Sequence, residues 1–362
     1  MLGLGAVAQA VHLPLLARLG KLFTIDALAD LSEAAVTSLG DRYGVARRHD
    51  AIESLLADAA VDAVVILTSG SHGPPAAAAL AAGVPVFCEK PLAYTVAEAD
   101  ALAAAGGRLA LGYMKLYDPA VVRAGELLSG RPPTRSVEVT VLHPASASQL
   151  GHARLSAPVD DVSAETRAAL AATAVELEER ALGAAPPELR RLYADVLLGS
   201  VVHELAVVRA LVGDPQAFEH VDAWPGDRWP PSVAIHGTLG GDARLAIRWH
   251  YLEGYPSYRE EIRVHDELGT VALTFPSPYL LHAPTELTVV DADAGAERTT
   301  RFASTAEAFE EELVAFHRLV TTGAAFAAGI AEGRADIVTC QRIVRCLAER
   351  RGLEVGGEAA LA

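Results

Sequence analysis

Up to about Tyr117, short apolar runs alternate with alanine-rich stretches whose apolar residues recur at helical spacing. That alternation is the pattern of parallel strands joined by crossover helices. Strands are expected over 23–29, 63–68, 85–88 and 109–112. Helices are expected from near Ala8 and over 33–43, 76–82 and 97–105, with Gly44 and Gly83 as C-cap glycines. After Asp118-Pro119 and a further helix, the texture changes at Arg131-Pro132-Pro133. Residues 137–141 alternate with period two, and similar runs at 232–239, 243–251, 261–265, 270–275 and 287–291 predict a largely antiparallel open sheet. Between them, Ser163 caps a helix over 163–182 that ends at Gly183, inside a helical insertion of about 150–192. Residues 305–321 and 333–350 are helical again and are expected to pack back on the first domain. Within the former, the glutamate run at 310–312 reads as a solvated face. The fold class is α/β, a doubly wound parallel sheet followed by an α+β domain.

Composition narrows the function. The chain has 362 residues, 51% hydrophobic and 21% charged, enough for a sizeable core and more than one domain. A formal charge of −16 repels phosphates and anionic lipid, so neither nucleic acid nor membrane is an expected partner. No apolar run is long enough to span a bilayer, and no secretory leader is evident. Cys88, Cys340 and Cys346 lack both a disulfide framework and metal-ligand spacing. A cytoplasmic location fits.

Two segments carry chemistry. Gly3-Leu4-Gly5-Ala6-Val7-Ala8 satisfies G-x-G-x-x-G/A and opens a helix, so Gly3, Gly5, Ala6 and Val7 are candidates for holding a pyrophosphate. Asp30, about 25 positions after Gly5, stands where an acid accepts bonds from ribose hydroxyls. Its carboxylate disfavours a 2′-phosphate and points to NAD, with NADP not excluded; a simple helix cap is the other reading of Asp30. Only Met1 and Leu2 precede Gly3, so the first strand is expected to be nearly absent and that edge of the site weakened. The second segment, Glu89-Lys90-Pro91, follows an apolar strand and delivers a lysine where open α/β sheets bind ligands. A surface lysine paired to Glu89 is its other reading.

Together with Thr68, His72 and Gly112-Tyr113-Met114-Lys115-Leu116-Tyr117-Asp118-Pro119, these residues resemble the Gfo/Idh/MocA family, the glucose-fructose oxidoreductase and inositol dehydrogenase group. The resemblance implies an N-terminal Rossmann domain, here 1–118, and a substrate-binding and oligomerisation domain, 119–362. It also implies a homodimer or homotetramer. The implied activity is NAD(P)-dependent hydride transfer to or from a hydroxyl or keto carbon of a sugar, cyclitol or related polyol. Thr68, His72, Glu89 and Lys90 then contact the cofactor, and Lys90 and His203 are catalytic: the lysine polarises the reacting oxygen and the histidine exchanges its proton. The family's aspartate four residues before the histidine is replaced by Gly199. Glu204 lies about 100° round the helix from His203 and substitutes poorly. Imine or conjugated-bond reduction, or a catalytically impaired dinucleotide-binding regulator, therefore stay open as alternatives. Tyr113, Lys115, Tyr117 and His143 are candidate substrate contacts, and His250 with Tyr251 are further candidates for the cleft. No metal is expected; His152, His236, His265, His282 and His317 lack ligand spacing.

Overall fold

Short, fully apolar runs build the first sheet of the computed structural model, which describes residues 1–58, 61–156 and 159–362. β1 (Ala27–Ala29), β3 (Val64–Ile66), β4 (Val86–Glu89) and β5 (Leu109–Gly112) are buried at every residue, while β2 (Arg47–His49) is the polar edge. Burial on both faces is what a parallel sheet covered by helices demands. Leu2 bridges Ala29 on one side and Ile66 on the other, both in parallel sense, so the order runs β2–β1–Leu2–β3–β4–β5. This is the strand order of a doubly wound nucleotide-binding sheet. The first strand is a single bridged residue, held by Leu2 N to Val65 O and Leu67 N to Leu2 O, each 2.8 Å.

Local signals placed the helices well. Ser32 caps Glu33–Tyr43 through Ala35 N, and Gly44 ends it in the left-handed conformation. Thr95 and Glu98 form a capping box at the start of Val96–Ala105. The first helix is irregular: Ala8–His12 has π-helical turns and Leu13–Arg18 is α-helical.

The second sheet has the order β13–β12–β11–β10–β6–β9–β8–β7. Its strands are β6 (Ser136–His143), β7 (Ala217–Trp224), β8 (Ser232–Thr238), β9 (Arg244–Tyr251), β10 (Arg259–His265), β11 (Gly269–Phe275), β12 (Glu286–Asp293) and β13 (Ala296–Ala303). All neighbours are antiparallel except β6 and β9, which are parallel. The two edges, β7 and β13, were not foreseen. β13 is exposed at every residue and so shows no alternation, and a register shift between Phe218 and His220 breaks the period of β7.

Helix Ala164–Leu182 runs from its Ser163 cap to Gly183 and buries only Ala181 and Leu182. The insertion expected over about 150–192 includes residues 157–158, which lie outside the described residues. Helix Ile330–Arg351 packs on Val96–Ala105 and β5, where the position of a Cβ on Gly333 lies 2.7 Å from Leu92 Cβ. The solvated glutamate face expected at 310–312 is corrected at one position. Glu312 shares the buried side of Ala308–Thr322 with Phe309, Leu313 and Phe316 and is fully buried, because one helical turn brings it back to the core.

Candidate functional site

The glycine loop leaves the Leu2 bridge at the carboxyl edge of the first sheet. Gly3 has φ +88°, and a Cβ there would stand 2.7 Å from Leu67 C and Thr68 N, so only glycine fits against β3's end. A Cβ on Gly5 would meet nothing within 4 Å; its backbone borders an open cavity. Asp30 closes the loop. Its Oδ2 accepts from Leu4 N at 2.7 Å and its Oδ1 from Ser32 N at 2.9 Å. The cavity, about 370 Å³, is lined by Leu4, Gly5, Ala6, Asp30 and Ser32 from this side. Val7 instead turns inward against the core. A glycine that admits no side chain, a second that opens to a cavity, and an acid at the next strand end fit a dinucleotide.

β4 ends at Glu89, and the Lys90 that follows donates from Nζ to the carbonyl oxygen of Gly199 at 2.5 Å. Burial lowers the Lys90 pKa; Glu89 and Glu204 pull it back up, and Lys115 lowers it further. The net displacement is toward a neutral amine. Glu89 faces inward, with Oε1 3.1 Å from Nε2 of fully buried His12, and its Oε2 accepts from Lys90 N at 3.2 Å. Burial opposes the Glu89 charge, but the His12 bond and the charges of His12 and Lys90 outweigh it, leaving the carboxyl below its ordinary range. His72 braces this turn: Nδ1 stands 2.6 Å from Pro91 O and Nε2 2.7 Å from Thr68 O. Burial holds its pKa down against those two carbonyls. A neutral ring can donate to only one of them. Thr68 and His72 thus join the end of β3 to the lysine turn.

The opposite wall comes from the π-helical stretch Leu192–Val201, which runs on into Val202–Val212. His203 sits with its ring edge-on to Tyr113, centroids 6.1 Å apart, and its buried Nδ1 has no hydrogen-bond partner among the described residues. Burial, then the charges of Lys90 and Lys115, hold its pKa well below the ordinary value, so the ring is neutral at neutral pH. His143, at the end of β6, stacks on Tyr251 and meets Trp249 and Tyr258. Burial lowers its pKa, and the charge of Lys90 adds to that. Trp249 Nε1 donates to Ser200 Oγ at 2.9 Å. The charge of Lys90 thus bears on both His203 and His143.

Residues 1–110 match the family model described as an oxidoreductase family with an NAD-binding Rossmann fold, Gfo/Idh/MocA. Over these residues the chain is similar to this family. Over 105 residues it is 42% identical to the inositol 2-dehydrogenase of Paracoccus denitrificans, a match covering 27% of this chain and 31% of that protein. Over 111 residues it is 37% identical to D-xylose 1-dehydrogenase (NADP(+)) 2 of Haloferax volcanii, covering 28% and 33%. The matched segment thus spans about a third of these relatives. The whole fold extends the likeness. Aldose-aldose oxidoreductase from Caulobacter crescentus superposes with TM-score 0.70 at 20% identity, covering 97% of this chain and 96% of that one. GenD2 from gentamicin A biosynthesis, solved in complex with NAD, does so with TM-score 0.67 at 21% identity, covering 97% and 93%.

Against that family background, three expected substrate contacts have their polar atoms engaged elsewhere. Tyr113 OH donates to Asp336 at 2.6 Å, and Asp336 in turn takes two bonds from Arg209 at 2.8 and 2.9 Å. Tyr117 OH accepts from Ala327 N at 2.8 Å. Lys115 is buried between Glu204, at 3.2 Å, and Glu260, which also accepts from Tyr258 OH at 2.6 Å. Burial works against the Lys115 charge and the two carboxylates outweigh it; burial pushes the Glu204 carboxyl up to about 8. Two carboxylates facing one ammonium cannot both ionise freely, and Glu204 is the one that keeps its proton. His250 meets Trp224 at 5.8 Å, whereas its neighbours Trp249 and Tyr251 point to His143, as strand alternation requires.

Sequence reasoning missed His12, Glu260, Tyr258 and Trp249. His12 follows the glycine loop on the first helix, a signal within reach. The others lie in the second sheet, where nothing in the sequence says which strand faces Lys90. Among the described residues no group of His, Cys, Asp and Glu side chains is arranged to hold a metal, and no helix is long and apolar enough to cross a membrane.

Proposed function

We propose that the protein is an NAD(P)-dependent dehydrogenase or reductase acting on the hydroxyl or keto carbon of a sugar, cyclitol or related polyol, with NAD preferred. The observation that carries this is the pairing of Lys90, bonded to Gly199 O, with the neutral ring of His203 beyond the glycine loop. The curated relatives named as inositol and xylose dehydrogenases support the polyol class. Residues 1–118 hold the cofactor, and residues 119–362 supply the substrate wall and the contacts of a homo-oligomer.

The cofactor, when bound, supplies the hydride acceptor or donor. Gly3, Gly5 and Ala6 hold the pyrophosphate through the loop and the helix that follows. Asp30 accepts from ribose hydroxyls, and its bonds to Leu4 N and Ser32 N fix it for that task. Lys90 turns its ammonium to the reacting oxygen and stabilises negative charge developing there. His203, neutral and free at Nδ1, takes the hydroxyl proton during oxidation and returns it during reduction. His143 and Trp249 line the substrate side.

Gly199 supports a second reading, reduction of an imine or conjugated bond. Gly199 brings no side-chain acceptor to the wall beside Lys90, which leaves one fewer partner for substrate hydroxyls. The deciding experiment measures NADH formation with a panel of inositols and aldoses and NADH consumption with cyclic imines and enones. Turnover of a polyol supports the first reading; turnover confined to imines or enones replaces it with the second. NADH binding without turnover of any of these rejects both.

A further inference from the structure

A segment that follows β6 reaches the glycine-loop cavity. Leu155, Ser156 and Val159 line it opposite Asp30, Ser32 and Ala34. Ser156 N donates to Gln9 Oε1 at 3.0 Å, which anchors the segment to the first helix. Ala34 N donates to Asp161 Oδ2 at 2.8 Å. Ala34 is the second residue of helix Glu33–Tyr43, so its amide is one of the donors left free at that positive end. Bonds from Ala34 and from the Ser32 side chain hold the Asp161 carboxyl below its ordinary range.

We propose that Asp161 is a specificity-determining residue that selects a dinucleotide with a free ribose 2′-hydroxyl and rejects one with a 2′-phosphate. This rests on the cofactor reading above. A 2′-phosphate beside Asp30 needs donors and positive charge in place of the ribose hydroxyl. Asp30 itself holds the Leu4 and Ser32 amides, and the Ala34 amide, the donor at the helix end beside it, is taken by Asp161. Its own charge then adds to that of Asp30. No lysine or arginine lies among the described residues lining the cavity. Asp30 alone leaves the helix end open to an anion; Asp161 fills that place from the chain itself.

The test titrates NADH and NADPH by fluorescence against the full chain and its D161A and D161N variants. Asp161 is exposed, so neither substitution disturbs the core. The ratio of the NADPH to the NADH dissociation constant is expected to fall at least about threefold in D161A, the size of one charge removed from a helix terminus. D161N keeps the acceptor and loses the charge, and its ratio falls between those of D161A and wild type. A ratio unchanged in both variants overturns the role of Asp161 while leaving the cofactor reading intact. If the wild-type chain binds neither nucleotide, the cofactor reading fails, and this inference with it.

Discussion

The Lys90 ammonium donates to the Gly199 carbonyl at 2.5 Å, joining the strand end of the first sheet to the π-helical wall of the second half. The bond steadies Lys90 with a backbone dipole, beside the charges of Glu89 and Glu204 that favour its ammonium. Burial then tilts it toward the neutral amine.

Replacing Lys90 tests its part in the chemistry. K90A is expected to lower turnover by ~10²–10⁴ through loss of oxyanion stabilisation. NADH affinity should stay within about threefold of wild type, since Gly3, Gly5 and Asp30 are untouched. Steady-state rates and a fluorescence titration on the same preparation separate the two effects. Unchanged turnover removes Lys90 from the mechanism.

Adding an acid at position 199 makes a complementary probe. A Cβ at Gly199 would meet only Ala194 O, at 3.4 Å, an ordinary contact. The carboxylate of G199D then favours the charged form of Lys90, so the alkaline limb of the kcat profile should move up by about one pH unit. A limb that stays in place means that Lys90 does not set it.

His203 predicts the acid side. Its folded-state pKa lies well below the ordinary value, so the ring remains a base as pH falls through about 6.5. The acid limb of kcat/KM is therefore expected below pH ~6.5, and it should vanish in H203Q along with most of the rate. Stability carries the same sign. The unfolded chain binds the proton more readily, so stability present above pH ~6.5 is lost as pH falls toward the folded value. Melting curves across that range give the check.

The buried Lys115 cluster should respond non-additively. Glu204 keeps its proton beside Lys115 and Glu260, so E204Q replaces a neutral acid by a neutral amide and is expected to cost under about 1 kcal/mol. In E260Q the remaining carboxyl, Glu204, loses its repelling neighbour, ionises and takes over the pairing. Only the E204Q/E260Q double variant leaves the Lys115 ammonium buried without an anion, and its cost should reach about 3–5 kcal/mol, more than the sum of the singles. Urea denaturation of the four proteins measures this directly.

Sequence patterns reached furthest where a residue's role is local. The Ser32 cap, the Thr95–Glu98 box and the Ser163 cap depend on neighbours three positions away, and the corresponding helices lie where they were expected. Polar or evenly exposed strands, β2 and β13, carry no hydrophobic period and were invisible for that reason. Gly3, Asp30, Lys90 and His203 are singled out by residue type and sequence context alone. Tyr113, Lys115 and Tyr117 looked like substrate contacts because they follow a strand end, and their partners, Asp336, Glu204, Glu260 and Ala327, are far away in the chain.

By itself the sequence determined that a parallel nucleotide-binding sheet comes first, that its loop requires glycine, and that a lysine stands at the mouth of the sheet. Those properties follow from short-range sterics, capping and apolar runs, which neighbouring residues settle among themselves. Only the tertiary structure decided that Lys90 meets Gly199, that Lys115 is enclosed by two carboxylates, and that Asp161 reaches the helix beside Asp30. These contacts join residues dozens to more than a hundred positions apart. Their geometry depends on how the second sheet and its insertion close over the first, which no local pattern encodes.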